Sequence, residues 1–491
     1  MIERALVSVA TTLLLLAPRA GQAAGERTIY AISIGQNEVP QALRAEDNEA
    51  LPRLRYADDD AASFHTFIRG TSRAAVLLSV LDTDTQRRFP ELAREARPPT
   101  RAQLQATVDA FKKAMDDDVA AGREPVLVFF YSGHGIRDAS GAAALALEDG
   151  ALTGDWLYDS LLGRLPARLA HVIVDACRAE AVVRPRDVYA NVEPMDEPEH
   201  QRRVQAATLA RFPHVGAILA SSATAQSFEW DAYRGGVFAH ELLSGLRGAA
   251  DVNRDGSIEY SELAAFLAAA NLQVTDPRAR LDIVVQAPRA DRRAQLLDLT
   301  RVRNQVVVAG RAGDGWERPF FVEDERGTRL LDAYVEKNGA VRLLVPAGER
   351  LYLVRADGEV EIREVAGAAV DLGRLRVRRR ESVARGALDE SLRRGLFATA
   401  FGPSFYRGYV SQQPDLLAVE FEPAEVDLRT PAPAPAAPRD PRRSGGVALL
   451  GAATVGAIAT GVFGALTWKA RSDHDATKVE RTATDASIVP A

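Results

Sequence analysis

The sequence predicts an α/β fold, a mainly parallel sheet flanked by helices, followed by a small β-rich domain and a C-terminal transmembrane helix. Three patterns predict it. Apolar runs of buried-strand length at Thr28 to Ile34, Val76 to Leu81, Val126 to Tyr131, Val172 to Asp175 and Ala217 to Ser221 are separated by helical periodicity at Asp58 to Ile68 and Arg101 to Met115. Such alternation builds a parallel sheet with helices packed on it. From about Thr300 to Pro423 the runs shorten and are bounded by turn residues, as in Arg318 to Val322, Val341 to Val345 and Leu351 to Arg355, the signature of antiparallel strands. Near the end, Val447 to Trp468 holds 22 residues without a charge, close to the roughly 20 that cross a bilayer as a helix.

Taken in order, the chain opens on Met1-Ile2-Glu3-Arg4, an uncharged run from Ala5 to Ala17 and small residues around Gly21-Gln22-Ala23. This is a signal-peptide layout with cleavage expected after Ala23, so residues 1–23 are read as a leader. Residues 24–299 carry the strand and helix alternation, residues 300–429 the β-rich domain, and 430–446 a Pro/Ala/Arg linker, extended because proline resists packing. The helix 447–468 and a tail 469–491 complete the chain. An exported chain with one late span places its body outside the cytoplasm, anchored to the membrane.

Composition narrows the function. The 491 residues carry 61 basic against 67 acidic side chains, a net charge of −6. This mild acidic balance offers no clustered basic surface for phosphates, so no nucleic-acid partner is expected. A single cysteine, Cys177, excludes an internal disulfide and a thiolate-rich metal site. It is either inert packing or a working thiol.

In open α/β sheets ligands bind outside the carboxyl ends of the strands. There Val126 to Tyr131 runs into Ser132-Gly133-His134-Gly135, and Val172 to Val174 runs into Asp175-Ala176-Cys177. A thiolate is a nucleophile, and an imidazole can take the thiol proton or protonate the leaving amine. The separation of 43 residues from His134 to Cys177 is near the roughly 50 expected between the corresponding pair in caspases.

On Phe130-Tyr131-Ser132-Gly133-His134-Gly135, on Val174-Asp175-Ala176-Cys177 and on Gly236-Val237-Phe238, the chain resembles the caspase and metacaspase clan of cysteine endopeptidases, particularly its bacterial members. The resemblance covers roughly Arg27 to Leu297. It implies a caspase-like fold, with a large-subunit-like part 27–180, a linker 181–211 and a small-subunit-like part 212–299. It also implies Cys177 as nucleophile, His134 as base, and the backbone N–H groups of Gly135 and Cys177 as oxyanion hole. Catalysis then requires no cofactor. Caspases that cut after aspartate have Gln-Ala-Cys with glycine two residues beyond; here Asp175 precedes Ala176-Cys177, and Ala179 replaces the glycine. Asp175 matches an acidic S1 residue of metacaspase-like members and Asp60 resembles the other, which implies cleavage of protein substrates after Arg or Lys. The Arg-rich linker is then itself a candidate for self-cleavage, the other reading being an uncut solvated loop.

One further motif stands apart. Asp251-Val-Asn253-Arg-Asp255-Gly256-Ser257-Ile258-Glu259-Tyr-Ser-Glu262 fits the twelve-residue EF-hand loop. The expected ligands are Asp251, Asn253, Asp255, Glu259 and Glu262 with the Ser257 carbonyl, and glycine stands at position six. It predicts a Ca2+ site; an acidic Gly-centred turn that binds no metal is the other reading. For the whole chain, a catalytically silent scaffold that kept the fold is the alternative to a peptidase. A third reading makes the β-rich region a recognition module.

Overall fold

The computed structural model describes residues 25–43, 51–138, 140–176, 211–222, 229–276, 279–310, 315–337, 339–362, 370, 374–377 and 387–421. Cys177, the leader 1–23, the linker 181–211 apart from Arg211, the Pro/Ala/Arg linker and the apolar run 447–468 lie outside the described residues. Among the described residues no helix is long and apolar enough to cross a membrane.

The strands are β1 Arg27–Gln36, β2 Ser72–Ser79, β3 Glu124–Gly133, β4 Gly135–Arg137, β5 Ala143–Leu147, β6 Gly150–Thr153, β7 Leu169–Asp175, β8 Val215–Ser222, β9 Glu229–Trp230, β10 Gly235–Gly236, β11 Ser257–Glu259, β12 Leu281–Gln286 and β13 Gln295–Asp298. The central sheet has the order β12-β8-β7-β3-β1-β2. Its five inner and β2-side strands are parallel, and β12 closes the β8 edge antiparallel. The expected parallel sheet is therefore present, with β2 beginning four residues before the apolar run that marks it.

Alternation along each strand divides the core into two layers. Ala31, Val126, Val128, Phe130, Ile173 and Ile218 face one side, while Tyr30, Ile32, Leu127, Phe129, Val172 and Leu219 face the other. Both faces are buried because successive side chains point to opposite sides and helices cover each. On the first side, helix α1, Ala57–Ile68, stacks Phe64 on Phe130 with ring centroids 4.3 Å apart, and the helices Val237–Ser244 and Tyr260–Asn271 pack beside it. On the second, the 101–120 helix buries Leu104, Val108, Phe111 and Met115, the i, i+4, i+7, i+11 stripe of an amphipathic helix. Thr100 caps it, its hydroxyl accepting from Gln103 N at 3.2 Å.

The β-rich region holds β14 Gln305–Gly310, β15 Phe320–Asp324, β16 Arg329–Ala333, β17 Val341–Pro346, β18 Leu351–Arg355 and β19 Gly358–Ile362. They form a β14-β17 pair and a β16-β15-β18-β19 sheet, all antiparallel, and helices Ala387–Gly395 and Pro403–Val410 follow. The layer under α1 continues into this region: Leu246, Leu343, Val345, Leu353 and Phe401 belong to the same buried cluster as Phe64 and Phe238. Composition marked a change of strand pattern at this point; the packing has no matching break.

Candidate active site

Strand register brings the site together. Gly35 on β1 pairs with Ser132 on β3, and Ser132 pairs with Asp175 on β7, so the carboxyl ends of three parallel strands finish level with one another. Helix α1 begins beside them with Asp58, Asp59 and Asp60 in its first turn, all buried. Tyr56 makes no side-chain cap. Distant residues cap the helix instead: Asn37 Oδ1 accepts from Ala57 N at 2.8 Å, and the Glu229 carboxylate accepts from Arg55 N and Tyr56 N at 2.8 and 2.7 Å.

The three aspartates meet three fates. Asp58 accepts from Asn37 Nδ2 and Asp82 N, at 2.7 and 2.9 Å, and ties α1 to the ends of β1 and β2. Asp59 accepts from the Thr85 hydroxyl at 2.9 Å and from Arg88 at 3.1 Å. Asp60 accepts from the Ser132 hydroxyl at 3.0 Å and from Gly236 N at 2.9 Å. Both of these donors are uncharged.

Gly236 is also where Asp60 and Asp175 meet. A Cβ at that position would lie 2.8 Å from Asp60 Oδ2 and 3.0 Å from Asp175 Oδ2, and one at Gly235 would lie 2.7 Å from Asp60 Oδ1. Only glycine lets the backbone approach both carboxylates this closely. Burial, and then the neighbouring Asp175, pushes the Asp60 carboxyl well above its usual range. Burial, and then Glu229, lifts Asp175 to about 7. Burial also raises Glu229. Two buried acids side by side resist ionisation until a positive group neutralises them.

His134 directly follows β3 and is 4% exposed. Its carbonyl oxygen accepts from Ala146 N at 3.0 Å, with the Tyr131 hydroxyl 3.1 Å away. Gly135 starts β4 opposite Leu145, so the turn is anchored on both sides. Cys177 follows Ala176, a 1% exposed residue at the end of β7 whose N–H points to Ala220 O. Since β3 and β7 are adjacent in the sheet, His134 and the Asp175-Ala176 terminus occupy neighbouring strand ends.

With this geometry in view, a family model described as Caspase domain matches residues 30–296. The chain belongs to the caspase-domain family. No curated protein matches it. Among solved structures, a Geobacter sulfurreducens protein is similar at 18% identity and a TM-score of 0.30, over 52% of this chain and 93% of that one. The structure of pro-sf-caspase-1 is similar at 12% identity and a TM-score of 0.30, over 57% and 94%. The family carries a cysteine-peptidase-like fold whose members are typically cysteine peptidases, and such a domain acts on protein substrates.

The calcium-like loop lies elsewhere in the caspase domain. Gly256 has φ +82° as a sixth-position glycine requires, Asp251 Oδ2 accepts from Gly256 N at 3.2 Å, Asn253 Oδ1 from Asp255 N at 3.2 Å, and Asp255 Oδ1 from Ser257 N at 2.7 Å. Ile258 is fully buried and β11 pairs with β13, Ile258 opposite Leu297. The twelfth residue behaves differently. Glu262 Oε1 accepts from Val252 N at 3.0 Å and Oε2 from Glu259 N at 2.9 Å, and Glu259 with Glu262 forms a capping box on the 260–271 helix. Among the described residues no three His, Cys, Asp or Glu side chains are grouped as metal ligands.

The sequence reading did not assign several contributors to the acidic corner. Ser132, in the Ser132-Gly133-His134-Gly135 turn, donates its hydroxyl to Asp60. Glu229 caps α1 from 173 residues away, and no local pattern announces such a partner. The Gly235-Gly236 pair carried a signal, since adjacent glycines before an apolar helix mark a close backbone approach.

Proposed function

We propose that the protein is a cysteine-type endopeptidase that cleaves protein substrates after Arg or Lys. The observation carrying this reading is the pair Asp60 and Asp175, buried from different segments against one glycine at the strand ends beside His134. A guanidinium or ammonium entering there restores the ionised state that burial opposes, so attraction to a basic P1 side chain is coupled to ionisation of the pocket. An aspartate at P1 would add a third carboxylate.

In the reaction His134 takes the thiol proton of Cys177, and the sulfur attacks the scissile carbonyl carbon. The carbonyl electrons move to oxygen, facing the N–H groups of Gly135 and Cys177. Collapse breaks the C–N bond, the imidazolium returns its proton to the leaving amine, and water hydrolyses the thioester to free acid and thiol. The test uses the full chain and two fluorogenic peptides differing only in Arg or Asp at P1, with Cys177→Ala as control. Turnover of the Arg peptide that Cys177→Ala abolishes is expected. Faster cleavage of the Asp peptide sinks the specificity, and no turnover of either leaves a scaffold that kept the fold.

We further propose that residues 1–23 are removed on export and that residues 447–468 anchor the peptidase on the extracytoplasmic side. Sequencing the N-terminus of membrane-fraction protein should find Ala24; retention of Met1 refutes export. Calcium is proposed at Asp251, Asn253, Asp255, Ser257, Glu259 and Glu262, the support being the spacing, the left-handed Gly256 and the Asx turns. Binding there requires Glu262 to leave the N–H groups it now accepts from. Equilibrium dialysis with Ca2+ and a chelator control tests it.

A further inference from the structure

The hairpin that walls the acidic pair is held from two sides. Its strands β9 and β10 pair Trp230 with Gly235 and Glu229 with Gly236, and Tyr233 N and Arg234 N donate to Trp230 O at 2.9 and 3.0 Å. On the inner side Gly236 N is bound to Asp60, and Glu229 caps α1. Arg88 reaches Asp59 and, at 3.3 Å, the carbonyl of Arg234.

The outer side belongs to residues beyond 300. Trp230 Nε1 donates to Asp389 Oδ1 at 2.7 Å, and Arg393 Nε donates to Asp389 Oδ2 at 2.8 Å. Arg393 also lies over the Trp230 ring, 5.7 Å from its centroid. Tyr233 stacks on His240 with ring centroids 3.7 Å apart and planes at 13°, and His240 Nε2 lies 2.8 Å from Asp332 Oδ2. Asp332 N accepts a place in the same network by donating to the Ser244 hydroxyl at 3.0 Å. Arg329 covers Phe321 at 3.6 Å and approaches Asp332 Oδ1 at 3.4 Å. Trp230, Tyr233, His240 and Asp332 are buried, where hydrogen bonds are least screened and most costly to break; only the Arg393 end of the Asp389 contact is exposed.

We infer that the region beyond residue 300 is a built-in buttress of the P1 pocket: Asp332, through the His240-Tyr233 stack, and Asp389, through Trp230, are positioning residues for the Gly235-Gly236 strand that holds Asp60. The inference rests on reading Asp60 and Asp175 as that pocket. Neither residue touches substrate. Each holds the hairpin at a height where Gly236 N reaches Asp60 and both carboxylates keep contact with one glycine. A pocket built on a two-residue strand pair has little stiffness of its own, because an isolated short hairpin is marginal in water. Rigidity must come from what is packed behind it.

The test compares the full chain with Asp389→Ala, Asp332→Leu and the conservative Asp332→Asn, whose amide oxygen still accepts from His240. Hydrogen exchange of peptides covering 229–236 is read beside that of peptides from β1 and β3, and KM and kcat are measured on the Arg peptide. The expected result is at least ~5-fold faster exchange in 229–236 for Asp389→Ala and Asp332→Leu, with β1 and β3 unchanged and Asp332→Asn near wild type. KM should rise about 5- to 10-fold with a smaller fall in kcat, since loosening a P1 wall weakens binding before chemistry. Unchanged exchange in both disruptive variants overturns the buttress. So does faster exchange with unaltered KM and kcat. If Asp332→Leu does not fold, Asp389→Ala decides alone, because its contact is on the outer face of Trp230. Faster hairpin exchange in the variants, with a wild type that cleaves neither peptide, refutes the peptidase reading while leaving the mechanical coupling in place.

Discussion

Two acidic regions of the caspase domain use carboxylates in opposite ways. At the strand ends, Asp60 and Asp175 come from segments 115 residues apart and converge on Gly236, with Asp60 held by the uncharged Ser132 hydroxyl and Gly236 N–H. In the loop 251–262, all six nominated residues carry side-chain oxygens within one dozen positions, yet Asp251, Asn253, Asp255 and Glu262 each turn at least one of theirs to the loop's own N–H groups. Proximity in sequence therefore does not gather charge, and distance in sequence does not prevent it. The strand-end pair sets two buried carboxylates against one glycine, whereas the loop places Glu262 on two backbone N–H groups and, among the described residues, leaves Asp251 Oδ1 and Glu259 Oε2 buried without a hydrogen-bond donor.

The comparison can be broken most directly at the glycines and acids of the first region. Asp60→Asn or Asp175→Asn should lower kcat/KM for the Arg peptide by about 10²-fold or more, because the charge opposite P1 is lost while the Gly236 and Ser132 contacts remain possible. Gly236→Ala should do at least as much, since its Cβ would meet both carboxylates. Asp255→Asn, in the loop, should leave kcat/KM within about twofold. Steady-state kinetics on the four variants checks the contrast, and an equal loss in Asp255→Asn erases it.

The second contrast is thermal. If the loop binds Ca2+, millimolar calcium should raise the melting midpoint of wild type by several degrees relative to chelator, by the linkage of binding to folding, and Asp251→Asn should cancel most of that rise. Asp60→Asn should keep it. An unchanged midpoint in calcium confines the loop to a structural turn.

Stability against pH sharpens the comparison further. Burial holds the Asp175 proton to about 7 in the folded state, against about 3.9 in an unfolded chain. The folded state thus binds the proton more tightly, and this contribution is fully present below pH ~4 and lost as pH climbs through about 7. Asp175→Asn cannot ionise, so its stability should match wild type near pH 4 and exceed it at pH 8 by an amount on the order of 1–3 kcal/mol. Melting both proteins across that range tests the sign; a less stable variant at pH 8 contradicts it. The smallest effect is expected at Gly256→Ala, where φ is +82° and Thr300 Cγ2 would lie 3.3 Å from the new Cβ. It should cost about 1 kcal/mol of stability and no activity.

Much of the fold was legible because it is periodic. Five apolar runs became β1, β2, β3, β7 and β8, and the stripe Leu104, Val108, Phe111, Met115 became one face of the 101–120 helix. The strand-end position of His134 was legible for the same reason, since a buried run must end before a glycine turn. Glu229 and Asn37 as caps of α1 were not, because capping by residues 173 and 20 positions away leaves no mark in local pattern. Nor were the contacts of Asp332 and Asp389 to the pocket hairpin: single acids in a β-rich segment read as ordinary surface charge.

By itself the sequence determined the layer pattern, the neighbouring strand-end motifs around His134 and Cys177, and the caspase-domain family they carry. These depend on hydrophobic periodicity and short motifs, which act over a few residues. Only the tertiary structure decided that Asp58 and Asp59 serve the scaffold while Asp60 faces Asp175, that Glu262 caps a helix, and that one core runs from the sheet into the β-rich region. The physical reason is that three adjacent aspartates have the same chemistry until burial and partners distinguish them, and those partners arrive from strands and helices that only folding brings within hydrogen-bond reach.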